Sequence, residues 1–149
     1  AFQTVTLQES AMEPTYSVSV KFFVNRALYK VSSPKRGDVI VFKTSASDSA
    51  ALHIRRVIGL PGETVQVKDG KIYINGKVYE ENGAYQDMTD GGLANSAITL
   101  ESGEYFVLGD NRNNSEDSRF SDIGNISKKY IVGKVWFTVS PKNKIGFIK

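Results

Sequence analysis

Val65-Gln66-Val67-Lys68-Asp69-Gly70-Lys71-Ile72-Tyr73-Ile74-Asn75-Gly76-Lys77-Val78-Tyr79 decides what kind of fold this chain can have. Three short runs rich in β-branched and aromatic residues are separated by Asp69-Gly70 and by Asn75-Gly76. Asp-Gly and Asn-Gly supply the positive φ angles that two-residue hairpin turns need. The stretch therefore reads as three strands joined by two tight hairpins.

The same pattern extends outward in both directions. Residues 2–8 alternate apolar and polar and read as a strand with one buried face. Pro14 bends the chain after it. Alternation resumes from Val18 to Val24 as a second strand. A polar turn over residues 32–38 feeds Val39-Ile40-Val41-Phe42, which is apolar on both faces and predicts a central strand. Residues 44–51 form a loop of small residues, expected to be exposed. Leu52 to Ile58 is again a strand and ends in the rigid turn Gly59-Leu60-Pro61-Gly62. Residues 80–97 are polar, contain glycine and lack a period, so a long mobile excursion is expected there. Strand character returns over residues 104–108, a polar loop follows over residues 109–119, and residues 127–130 predict one helical turn. Tyr130 to Val139 is a final strand of β-branched and aromatic residues. Neither internal repeats nor a long amphipathic helix are present. Many short strands with regular turn signals predict a mainly β protein, barrel-like or sandwich-like.

Composition narrows the chemistry. A length of 149 residues fits one domain, or a core with one inserted subdomain. With 40% apolar and 23% charged residues the chain is an ordinary globular protein. Nineteen Lys+Arg against 16 Asp+Glu give a net charge of +3, which makes no case for nucleic acid as a partner. There is no cysteine, which excludes disulfides, zinc-thiolate sites and cysteine catalysis. His53 is the only histidine, so any Ser-His-Asp triad would have to use it. No apolar run approaches the length of a bilayer span. The chain opens inside an apolar-alternating segment, as a trimmed or processed product would.

Three further stretches carry a resemblance. They are Met12-Glu13-Pro14-Thr15; Arg55-Arg56-Val57-Ile58-Gly59-Leu60-Pro61-Gly62-Glu63; and Gly109-Asp110-Asn111-Arg112 followed by Ser115, Asp117, Ser118 and Arg119. In this order they resemble the conserved segments of type I signal peptidases, and the third matches its segment in full. The resemblance implies the signal peptidase β-fold: a larger core domain of residues 1–62 plus 105–149, and a smaller inserted β-rich subdomain of residues 63–104. It also implies a membrane-anchored serine peptidase that cuts after Ala-x-Ala. In that family a neutral buried lysine takes the proton of a serine nucleophile, which requires desolvation to lower the lysine's pKa.

The chain departs from that scheme where the chemistry sits. Ala11 stands at the nucleophile's position and has no hydroxyl. Arg55 stands at the general base's position, and a guanidinium of pKa above about 12 is no base near neutral pH. Glu9 stands where some members place a residue that helps form the oxyanion hole, and an ionised carboxylate there repels a developing oxyanion. Ser10 is not a substitute nucleophile, because neighbours on a strand point to opposite faces. His53 would share a face with Arg55 and reads as a surface residue. Glu9 and Ala11 share a face by the same period. A buried guanidinium needs a partner, so a Glu9–Arg55 ion pair is expected to fill the site.

The remaining assignments follow from the resemblance. Ser115 takes the position of the hydroxyl that orients the base. Asp110, Asp117 and Arg119 are expected to hold their loop, and Glu9, Ser10, Met12 and Pro14 to form the binding cleft. The carboxylates of Asp110, Glu116 and Asp117 stand among Arg112 and Arg119, which reads as ion pairing rather than a calcium site. No phosphate-binding glycine motif is present, and neither metal nor cofactor is expected. Phe2, Tyr16, Phe22 and Phe23 are candidates for a lipid-facing surface, with the core as their other fate.

The function these residues imply is that of a non-catalytic signal peptidase homologue. It would bind an extended segment of pilin or preprotein by strand addition during pilus assembly on a Gram-positive cell. An N-terminal anchor would hold its globular domain on the extracytoplasmic side of the cell membrane, against the membrane surface. The competing expectation is a working peptidase whose active site has been mutated.

Overall fold

A computed structural model describes residues 2–47 and 49–148. Ala1 and Lys149, the outer limits of the expected core domain, and Asp48 of the expected 44–51 loop lie outside the described residues. The strands are β1 (Phe2–Thr6), β2 (Lys21–Asn25), β3 (Val39–Phe42), β4 (His53–Gly59), β5 (Thr64–Lys68), β6 (Lys71–Ile74), β7 (Lys77–Val78), β8 (Ile98–Thr99), β9 (Glu104–Leu108), β10 (Ile126–Ser127), β11 (Ile131–Ser140) and β12 (Gly146–Phe147). One short helix, α1 (Leu28–Val31), follows β2, and three single 3₁₀ turns span Gly92–Asn95, Lys128–Tyr130 and Lys142–Lys144.

The larger sheet runs β1-β2-β11-β3-β4-β9-β10, with β12 also paired to β11. Every pairing in it is antiparallel. The smaller sheet runs β7-β6-β5-β8. Asp69 and Asn75 adopt φ angles of 51° and 52°, so both expected hairpin turns form as their residues dictate. β3 is buried on both faces. Val39 and Val41 join a core with Val5, Phe22, Val24 and Val135, while Ile40 and Phe42 join a second core with Val57, Tyr105 and Val107. The smaller sheet has no core of its own. Val65, Val67 and Ile72 share one apolar cluster with Ile58, Phe106 and Leu108 of β4 and β9.

Three local expectations are corrected. The second strand begins at Lys21, not Val18. Ser19 takes a φ of 80°, and the Ser19 amide donates to the Leu7 carbonyl, which turns the chain before pairing starts and leaves Val18 exposed. Gly59 belongs to β4 rather than to the turn. It sits at a register irregularity where a Cβ would meet Val65 Cγ2 at 2.6 Å, so the close approach of the second sheet requires glycine. Residues 80–97 are irregular but pinned. Glu81 forms a double hydrogen bond with Arg112 (2.6 and 2.7 Å), and Met88 is buried in the shared core. Of the aromatic residues set between a lipid-facing surface and the core, Phe22 is fully buried, and Tyr16 is half-buried and packs edge-on against it. The outward aromatic surface combines Phe2 (60% exposed) and Phe23 of that set with Trp136, Phe137 and Phe147 (70% exposed). Among the described residues no helix is long and apolar enough to cross a membrane.

Candidate functional site

β4 carries two consecutive arginines, and neighbouring side chains of a strand leave on opposite faces. Both are buried, and each meets a carboxylate. Arg56 donates Nε and Nη2 to the two oxygens of Asp110 at 2.9 and 2.8 Å. Burial works against the Arg56 cation, but the hydrogen bonds and charge of Asp110 outweigh it and hold the guanidinium more firmly protonated than usual.

Arg55 is 0% exposed and tied on three sides. Its Nε donates to the Glu116 carbonyl at 2.7 Å, Nη1 to the Ile54 carbonyl at 2.8 Å and Nη2 to Glu9 Oε2 at 2.6 Å. The expected Glu9–Arg55 ion pair is therefore present. His53 is corrected: it is not merely a surface residue, because its Nδ1 lies 3.0 Å from Glu9 Oε1. Two residues back on the same strand face, it shares the Glu9 carboxylate with Arg55. Burial alone would raise the Glu9 carboxyl. The hydrogen bonds and charges of His53 and Arg55 overcome that and hold it at about 2, below its ordinary 4.5.

The 109–119 loop closes the opposite wall. Asp117 holds Arg119 through two hydrogen bonds of 2.9 Å and accepts the Gly109 amide at 3.0 Å. Ser118 Oγ accepts the Val107 amide, and Arg112 Nε donates to the Gly109 carbonyl. The loop docks onto the chain at residues 10 and 11, where the Asn111 amide donates to the Ala11 carbonyl at 2.8 Å and its side-chain amide donates to the Ser10 carbonyl at 3.1 Å. Gly109 makes this contact possible, since a Cβ there would lie 2.6 Å from the Ala11 carbonyl oxygen and 2.0 Å from Ser115 Oγ.

A cavity of about 390 Å³ opens between these walls, lined by Glu9, Ser10, Ala11, Ser115, Glu116 and Phe120 among others. The expected site residues divide here. Glu9, Ser10, Ala11 and Ser115 reach the cavity. Met12 does not, being 0% exposed in the core, and exposed Pro14 lines a different cavity. The period-two reading fails because β1 stops at Thr6 and residues 11–15 form a turn, closed by the Tyr16 amide on the Met12 carbonyl. For the same reason Ser10 is not turned away from the site but lines it beside Ala11. Ser115 Oγ is buried and makes no hydrogen bond among the described residues, so it orients no base here. No group of metal-ligating side chains occurs among the described residues.

A family model described as signal peptidase, peptidase S26, matches residues 1–140. The chain belongs to the signal peptidase family. Signal peptidase I of Leptolyngbya laminosa is 38% identical over 146 residues, covering 94% of this chain and 70% of that protein. Signal peptidase I T of Bacillus subtilis is 34% identical over 151 residues, covering 97% and 77%. The probable signal peptidase I-2 of Synechocystis is 32% identical, and this chain spans 65% of that protein's length. A crystal structure of a signal peptidase I from Enterococcus faecalis superposes with a TM-score of 0.52 at 32% identity, covering 68% of this chain and 96% of that one. The mainly β architecture is thus that of the signal peptidase family.

Sequence reasoning found the Glu9–Arg55 contact and the Asp117–Arg119 pair. It missed His53 as the second partner of Glu9, Asn111 as the residue that docks the loop, and the Arg112–Glu81 pair. The i, i+2 spacing of His53 and Arg55 was a signal for the first, and Asn111 and Arg112 stood in the third quoted stretch, but without their partners.

Proposed function

We propose that this chain is a non-catalytic signal peptidase homologue that holds an extended segment of a pilin, or of another exported protein, without cutting it. The observation that carries the reading is the state of Arg55. A guanidinium at the position of the family's base is permanently protonated and already committed to Glu9, Glu116 and Ile54. Beside it, Ala11 offers no nucleophilic oxygen. What survives is an open cavity lined mostly by polar side chains, with Ala11 and Phe120 as apolar lining, suited to a peptide. Pilus assembly on a Gram-positive surface is the setting the family resemblance offers for such a protein. We place the globular domain on the extracytoplasmic side of the membrane, with the exposed aromatic surface around Phe2, Trp136 and Phe147 toward the lipid.

The test uses the unmodified chain with a preprotein and with a pilin-derived peptide. Binding without cleavage is expected, and Ala11→Trp, which fills the cavity, should abolish binding. Cleavage at an Ala-x-Ala site by the unmodified chain would sink the reading. One observation favours the alternative of an inactivated peptidase: the Ser115 hydroxyl still stands without a partner where the family's base would need it.

A further inference from the structure

Three separated parts of the chain bring their cations together at one end of the larger sheet. Arg26 follows β2, Lys30 lies in α1, Lys43 follows β3, and Lys128 and Lys129 open the 3₁₀ turn before β11. They wall a groove of about 690 Å³ that shares no lining residue with the cleft and, among the described residues, has no Asp or Glu in its lining. Among the described residues none of the five forms an ion pair. Arg26 donates to Gln3 Oε1 at 3.0 Å, Lys128 to the Ser32 carbonyl and Ser33 Oγ, and Lys129 lies over the Tyr130 ring. By contrast, Arg36, Arg55, Arg56, Arg112 and Arg119 elsewhere in the fold are all paired with carboxylates. Five like charges with no counter-charge among the described residues repel one another, and an anion from outside relieves that repulsion.

We propose that this groove binds the phosphate headgroups of anionic membrane lipids. Two features favour a lipid over a free anion. The groove is amphipathic, lined by Ile131, Val132 and Tyr29 as well as by the cations. It is also continuous with the exposed aromatic surface: Phe2 pairs with Asn25 in the strand register, Arg26 follows Asn25, and Arg26 is bonded to Gln3. Aromatic side chains beside unpaired lysines suit a bilayer interface, where rings settle at headgroup depth and cations meet phosphate. The site does not depend on what the cleft holds.

The test is co-sedimentation of the full chain with vesicles of phosphatidylcholine alone and of phosphatidylcholine mixed equally with phosphatidylglycerol. The mixed vesicles should bind more chain, and added salt should weaken that preference. Lys30 and Lys129 are exposed, so K30Q/K129Q should keep the fold. Losing two headgroup-facing cations should lower partitioning onto the mixed vesicles roughly thirty-fold. The double variant K68Q/K77Q changes net charge equally on the other sheet and should partition like the parent. Equal binding to both vesicle types overturns the proposal, and so does an equal loss in the two double variants. Binding of soluble polyphosphate by the groove without any vesicle preference also overturns it, since the ligand is then a free anion.

Discussion

Replacing Glu9 by Gln tests the network that fills the site. Glutamine keeps the shape and can still accept from Arg55 Nη2, but the charge is gone. Arg55 keeps its two backbone acceptors, so the loss is that of the ion pair rather than of all its hydrogen bonds. Holding a carboxyl at about 2 instead of 4.5 corresponds to about 3 kcal/mol of stability at neutral pH if the group were shielded from water. The Glu9 side chain is 34% exposed, and solvent screening reduces the figure to about 1–2 kcal/mol. For 149 residues that lowers the thermal midpoint by about 3–6 °C. The sign of the pH dependence follows from the depressed pKa. The stabilisation is complete above the unfolded value near 4.5 and is lost as pH falls toward about 2. Urea titrations of parent and variant should therefore differ at pH 7 and converge in acid. A variant as stable as the parent at pH 7, or a difference that persists unchanged in strong acid, would refute the ion pair as the element that holds Arg55.

Three more outcomes are expected from urea denaturation. Asp110→Ala strands the buried Arg56 guanidinium and should cost about 3–5 kcal/mol; a loss below about 1 kcal/mol would show that Arg56 finds another partner. Gly109→Ala drives a Cβ toward the Ala11 carbonyl and Ser115 Oγ and should cost about 1–3 kcal/mol, part of which Ser115→Ala in the same chain should return. Ser115→Ala alone removes a buried hydroxyl that has no partner, so stability should stay level or rise by up to about 1 kcal/mol; a clear loss would reveal a hydrogen bond that the geometry does not show.

What could be read from the sequence was what local chemistry fixes. Asp69-Gly70 and Asn75-Gly76 commit the backbone to hairpins whatever surrounds them, and Val39–Phe42 has no polar face to expose. The Glu9–Arg55 contact was legible for a different reason, that a buried guanidinium must find an anion. Periodicity misled where it was carried past the ends of the strands. Val18 continues the alternation of β2 but lies in a turn fixed by the Ser19 backbone. Met12 and Pro14 were assigned to the cleft through the resemblance, but Met12 is buried in the core and Pro14 lines a different cavity. The Arg112–Glu81 pair joins segments 31 positions apart with no motif between them, so only the folded chain reveals it. His53 sits between these cases. Its spacing from Arg55 was visible, but its role depends on a carboxylate 44 positions away.

Glu9 also decides what would restore cleavage. Changing Ala11 to Ser and Arg55 to Lys supplies the two groups of the family's scheme but leaves the carboxylate in place. A lysine beside an anion is held protonated, because the opposite charge favours its charged form. The base must be neutral to take the serine's proton, so A11S/R55K keeps the wrong protonation state while satisfying the motif. Removing Glu9 as well takes the anion away and leaves only neutral acceptors, the Ile54 and Glu116 carbonyls, while desolvation lowers the lysine's pKa. The triple variant A11S/R55K/E9S should therefore cut an Ala-x-Ala peptide at least ~100-fold faster than the double variant, within the range ascribed to a positioned general base. Its rate should rise with pH as the lysine loses its proton. Equal rates for the double and triple variants would mean that Glu9 does not govern the site, and that the loss of hydrolysis lies only in the two residues that the motif names.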